Sequence, residues 1–163
     1  MPSTACGGSA SWYAVPDTIK QLLWLAATHW EDTAQSEHYM QQALTLADGH
    51  LDVLVSAYRY FFYKHKPVLA LQAAQAVLHQ IQQSEALPTD WNQLAPILIQ
   101  RQQEPVIRLY LNAYVASGLV LARLGDLDTA TTITARVSAI DSRREFGAAT
   151  VFNVLTHPPD NEE

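Results

Sequence analysis

The chain has 163 residues, 48% of them apolar, and its 16 acidic against 10 basic side chains leave a formal charge of -6. A chain of this length buries about 70% of its unfolded surface as one domain, so it needs no disulfide or metal staple. The shortage of Lys and Arg argues against nucleic acid as a partner, because phosphate neutralisation supplies most of that affinity, and the longest apolar runs fall short of the ~20 residues that span a bilayer.

Residues 1–15 carry neither a charged n-region nor an apolar h-region and read as a flexible tail. The lone Cys6 has no partner for a disulfide and suits a reducing cytoplasm. Pro16-Asp17 opens a helix over about 17–30, with Ile19, Leu22, Leu23 and Ala26 at helical spacing. A second helix covers about 33–47 and closes at Asp48-Gly49-His50. The third starts near Leu51, carries Leu54, Val55, Tyr58, Phe61 and Phe62, and stops at Lys64-His65-Lys66. Pro67 disfavours helical geometry in the residue before it and suits the first turn of the next helix, about 68–84.

The stretch Glu85 to Glu104 breaks at Leu87-Pro88-Thr89-Asp90 and then reads as an extra helix from Trp91 to Gln103, with Pro96 tolerable near its first turns. Pro105 opens a helix to about Leu124, and Gly125-Asp126 turns the chain. Helices over about 127–140 and 143–155 follow, with Arg143-Arg144-Glu145 as a solvated turn at their junction. Residues 157–163, rich in prolines and acids, read as a flexible acidic tail. No sustained apolar/polar alternation supports a strand, so the fold class is all-α.

Small or apolar residues recur at a spacing of 34: Ser36, Met40, Ala43 and Leu44 return as Ala70, Ala74, Val77 and Leu78. A third copy lies 60 residues further on, one repeat plus an insert of 26, and reads Gly118, Leu121, Gly125, Asp126, Leu127, Ala130, Thr134, Val137 and Asp141. Tyr114 to Ser142 resembles a tetratricopeptide repeat, with Gly118 at the close helix approach, Gly125-Asp126-Leu127 at the turn and Ala130 at the small inter-helix position. Trp24 and Tyr58 stand where Gly118 does, and His65-Lys66-Pro67 replaces the glycine turn. Rings at that place are expected to push the paired backbones apart.

The resemblance implies one domain, 16–156, of antiparallel hairpins stacked as a short superhelix: repeats at about 17–50, 51–84 and 111–144, an insert at about 85–110 and a capping helix at about 143–155. Phe146, Val151, Phe152 and Leu155 give that last helix an apolar face, as a cap or, alternatively, a homodimer interface. The first helix of each pair then lines a concave groove, through Leu25, Thr28, His29, Val55, Arg59, Phe62, Tyr63, Asn112, Val115, Leu119 and Arg123. This set is apolar with two arginines, which fits a protein or peptide segment with apolar anchors and some acidic character. Gln21, Leu25, Ser56, Asn112 and Ala116 occupy the places of the carboxylate clamp that holds chaperone tails, so that clamp is absent.

The wording of Tyr58 to His65 and of Arg108 to Tyr114 also resembles small helical-repeat proteins of bacterial nitrogen-fixation gene sets. That resemblance implies an accessory role in assembling or protecting a metalloenzyme. A second reading has the insert fill the groove, with Trp91, Leu94, Ile97 and Leu98 as the plug and the domain self-associating. No histidine pair at ligand spacing, glycine-rich phosphate loop or Gly-x-Ser-x-Gly elbow occurs. The expectation is a binding protein that holds no metal or other cofactor and is not an enzyme.

Overall fold

The computed structural model describes residues 15–156. Both expected tails lie outside the described residues except for Val15, which is buried against Ile19, Ala43 and Val53. The described residues form α1 (Asp17–Thr28), α2 (Thr33–Ala47), α3 (Leu51–Tyr63), α4 (Pro67–Ser84), α5 (Trp91–Gln100), α6 (Pro105–Arg123), α7 (Leu127–Ile140) and α8 (Ala148–Thr156), with no strand among them. The chain is all-α.

The helices begin where the sequence supplies caps. Asp32, Asp90 and Asp126 accept hydrogen bonds from the backbone amides of Gln35, Asn92 and Thr129 at 3.1–3.2 Å, and Pro67 and Pro105 occupy first turns whose amides need no partner. Three antiparallel hairpins result: α1 with α2, α3 with α4, and α6 with α7. The second helix of one hairpin meets the first helix of the next, lightly at α2 and α3 and extensively at α4 and α6.

Positions 34 and then 60 residues apart are equivalent in burial. Ser36, Ala70 and Ala130, then Met40, Ala74 and Thr134, then Ala43, Val77 and Val137 are all exposed by 3% or less. Small residues there let the paired backbones approach. At Gly118 a Cβ would stand 3.1 Å from Ile133 Cγ2, so α6 and α7 are as close as this position permits.

The bulky residues at the matching positions do not separate their hairpins. Trp24 is 64% exposed, Tyr58 lines a pocket shared with α6, and α3 packs on α4 as extensively as α6 on α7. The replaced turn also closes normally. His65 takes φ 58° where Gly125 takes φ 94°, and both turns have the same two bonds: Lys66 N–H to Phe61 O and His65 N–H to Phe62 O, against Asp126 N–H to Leu121 O and Gly125 N–H to Ala122 O.

The last helix starts at Ala148 and not near 143. Buried Asp141 ends α7 and accepts the amides of Glu145 and Phe146, each at 2.9 Å, which holds 141–147 as a turn with Arg144 and Gly147 at positive φ. Phe146 therefore precedes α8, buried beneath the Arg108 guanidinium, while α8 packs on α7. α6 is long and apolar enough to cross a bilayer by length and composition, though the sequence reading found no apolar run of that length. Here it is the central helix, packed between α4 and α7.

Candidate functional site

α3 carries five aromatics in six residues, and tertiary packing divides them. Tyr58, Tyr60 and Phe61 are buried, Phe62 is half-buried and Tyr63 is 66% exposed. Tyr60 is fixed by its hydroxyl: Ser36 Oγ lies 2.7 Å from it and donates to the Ala26 carbonyl at 2.6 Å, which ties α1, α2 and α3 together. Burial pushes the Tyr60 hydroxyl pKa up, with the Ser36 bond opposing.

The two outward rings form a pocket with α6. Tyr58, Arg59, Phe62 and Tyr63 face Asn112, Ala116 and Leu119 around about 250 Å³. Phe62 and Tyr63 meet edge to face at 5.5 Å, and the Arg123 guanidinium sits 4.3 Å over the Phe62 ring. Arg59 and Tyr63 also line a second pocket, again about 250 Å³, with Leu23 and Ala27 of α1, Met40 of α2, and Ser56. The pair of pockets makes a trough across the first helices of all three hairpins.

Two cations of this trough are left without a carboxylate. Among the described residues Arg59 and Arg123 have no ion pair, as Arg136 and Arg144 elsewhere have none, whereas Lys66 pairs with Glu37 at 3.0 Å, and Arg101 and Arg108 are held by Glu85 with Glu104 and by Glu145. On a chain of charge -6, two unpaired guanidiniums beside apolar walls are a local reversal of sign.

Of the groove residues expected from sequence, Arg59, Phe62, Tyr63, Asn112, Leu119 and Arg123 come together here. Four do not. Val55 and Val115 are buried in the core, because the open stripe of α3 runs through Ser56, Arg59 and Tyr63 and that of α6 through Asn112, Ala116, Leu119 and Arg123. His29 places Nδ1 2.9 Å from the Leu25 carbonyl and its ring against Tyr39 of α2, so His29 and Leu25 finish α1. Exposed Thr28 bonds back to the Trp24 carbonyl at 2.7 Å. Ala116, which the sequence reading names only at a clamp place, lies one turn after Asn112 and lines the pocket; nothing in the sequence marks Tyr58 as a wall residue.

The insert does not plug the trough. Leu94 and Leu98 of α5 are buried in the core, Ile97 packs against it, and Trp91 lies between Tyr114, at 6.2 Å, and the Arg136 guanidinium, at 5.2 Å. Gln102 donates to the Ile140 carbonyl at 3.0 Å, and Arg101 grips Glu85 and Glu104, the two ends of the insert. Its bonds to Arg101 hold the Glu104 pKa below the ordinary carboxylate value. No residue of 85–104 lines the Arg59 pocket. Among the described residues no cluster of three or more His, Cys, Asp or Glu is placed to hold a metal ion.

No family model matches the chain, and no solved structure matches it significantly. The chain is similar to an uncharacterized 19.8 kDa protein in the nifW 5' region of Azotobacter chroococcum mcd 1, at 27% identity over 136 residues that cover 82% of this chain and 76% of that protein.

Proposed function

We propose that this chain is a cytoplasmic, tetratricopeptide-like protein-binding module, an adaptor, dedicated chaperone or assembly factor, whose trough between α1, α3 and α6 holds a segment of another protein. The observation that carries the reading is the pair of unpaired arginines, Arg59 and Arg123, beside the apolar walls of Phe62, Tyr63 and Leu119. Apolar anchors fill such walls, and a carboxylate answers such cations. Binding, and not turnover, is the role proposed.

The similarity to a protein encoded beside nifW supports placing this work in nitrogen fixation, as an accessory to metalloenzyme assembly. The test is capture from a nitrogen-fixing culture with the wild type beside an Arg59→Glu/Arg123→Glu variant. Both side chains are exposed, so each change should move stability by no more than about 0.5 kcal/mol. A nitrogen-fixation protein held by the wild type and lost from the folded variant is the expected result. Identical captures, or none, would remove the trough from consideration.

A further inference from the structure

The two pockets of the trough meet on α3. Arg59 and Tyr63, one turn apart, line both, so these side chains form a ridge between a hollow shared with α1 and a hollow shared with α6. Each hollow encloses about 250 Å³, room for one large side chain. Among the described residues that line them, Arg59 alone is charged.

The walls on either side are apolar and held in place. Toward α1 they are Leu23, Ala27, Trp30 and Met40. The Trp30 ring meets Tyr60 edge to face at 5.4 Å, Lys64 Nζ stands 4.0 Å from the Trp30 ring centre, and Ser36 holds the Tyr60 hydroxyl at 2.7 Å. Toward α6 the wall is Phe62, Ala116 and Leu119, and Arg123 is committed to it at 4.3 Å from the Phe62 ring centre. Arg59 is held less closely: it is exposed, with its guanidinium 5.9 Å from the centre of the Tyr58 ring. The two arginines therefore differ in role. Arg123 positions a wall, and Arg59, between the hollows, is the cation open to a ligand carboxylate.

The order across α3 is thus apolar, cationic, apolar, and a ligand complementary to it is apolar, acidic, apolar. The hollows lie on opposite flanks of one helix, so one helix diameter, ~10 Å, separates them. In an α-helix residues i and i+7 share a face at a separation of ~10.5 Å, with i+3 and i+4 between them on that face. An extended strand repeats its face every second residue, at ~7 Å or ~13 Å, and matches the span less well. Resting on the trough as the binding site, we infer that the segment it holds is an amphipathic helix lying across α3. Large apolar residues at i and i+7 fill the two hollows, and an Asp or Glu at i+3 or i+4 meets Arg59.

The experiment selects from a displayed library of random peptides, each long enough for several helical turns, on the immobilised full chain. Arg59→Glu, Arg123→Glu, the double variant, Ala27→Leu and Ala116→Leu run beside the wild type, with circular dichroism to establish folding. The wild type should enrich peptides with large apolar residues at i and i+7 and an acid at i+3 or i+4. In a synthetic consensus peptide, read by fluorescence anisotropy, replacing that acid by lysine should weaken binding about tenfold or more, and Arg59→Glu, but not Arg123→Glu, should restore it. Ala27→Leu and Ala116→Leu, which each fill one hollow, should each weaken the acidic peptide. Enriched peptides that need the arginines but carry one apolar anchor, another spacing or an acid that answers to Arg123 overturn the inference and leave the trough as a binding site, and so does indifference to either filling change. No enrichment over the Arg59→Glu/Arg123→Glu variant overturns the inference and the trough reading together.

Discussion

The second and third hairpins reach the same geometry from different residues. In α6–α7 a glycine permits close approach at 118, a glycine turns the chain at 125 and Asp126 caps the next helix. In α3–α4 the corresponding residues are Tyr58, His65 and Lys66: the tyrosine ring turns to a pocket wall, the histidine accepts a left-handed backbone, and the lysine pairs with Glu37 and caps nothing. What the hairpins share is fully buried small residues, Ala70 and Ala130, and the need to satisfy the last carbonyls of the first helix. Those two demands define the turn, and glycine lowers its cost without being required for it.

The contrast can be broken at several strengths. Gly118→Leu should be the most damaging change, about 3 kcal/mol or more, because the side chain would meet Ile133 where even a Cβ is tight; chemical denaturation measures it, and tolerance would mean that α6 and α7 can part. Val77→Ala and Val137→Ala, at equivalent and fully buried positions, should each cost about 2 kcal/mol by leaving a cavity. Unequal costs would show that the two hairpins are packed differently despite their matching burial.

Alkali acts on the α6 side. Burial pushes the Tyr110 pKa up to about 12, so its folded form keeps a proton that the unfolded chain releases near 10. Its contribution is fully present below pH ~10 and is lost as pH rises through the folded pKa, at up to about 1.4 kcal/mol per pH unit between the two. Thermal melts in this window should show a shallower decline for Tyr110→Phe than for the wild type; equal slopes would put the alkaline loss elsewhere. The smallest pair concerns the turns themselves. His65→Gly should stabilise by about 1 kcal/mol and Gly125→Ala destabilise by a similar amount, since one relieves and the other imposes a side chain at positive φ.

Much of the fold was legible because it is local. Aspartate caps, prolines before helices and apolar residues at helical spacing act within a few residues, so seven helix starts fall within one residue of the sequence reading. The eighth was placed early. Asp141 looks like one more repeat residue, and its hold on the amides of Glu145 and Phe146 shows only when the chain has curled back on it.

The site was legible in chemistry and partly misplaced in direction. Arg59, Phe62, Asn112 and Arg123 were found by type and spacing, whereas Val55 and Val115 were assigned to a groove that lies one helical position away. A helix turns 100° per residue, so a rotation too small to alter the periodic pattern moves a valine from solvent to core. Trp24 and Tyr58, at equivalent repeat positions, differ for the same reason: one has no partner helix across from it and the other closes a wall with α6.

The sequence alone therefore determined that the chain is helical, where its helices break and which positions repeat, because capping, propensity and periodicity are properties of neighbours along the chain. Which face of each helix stays open among the described residues, and that the insert packs on α6 and α7 and leaves the trough free, were decided by the tertiary structure. Those outcomes depend on what lies across from each side chain, and burial is a relation between helices distant in sequence.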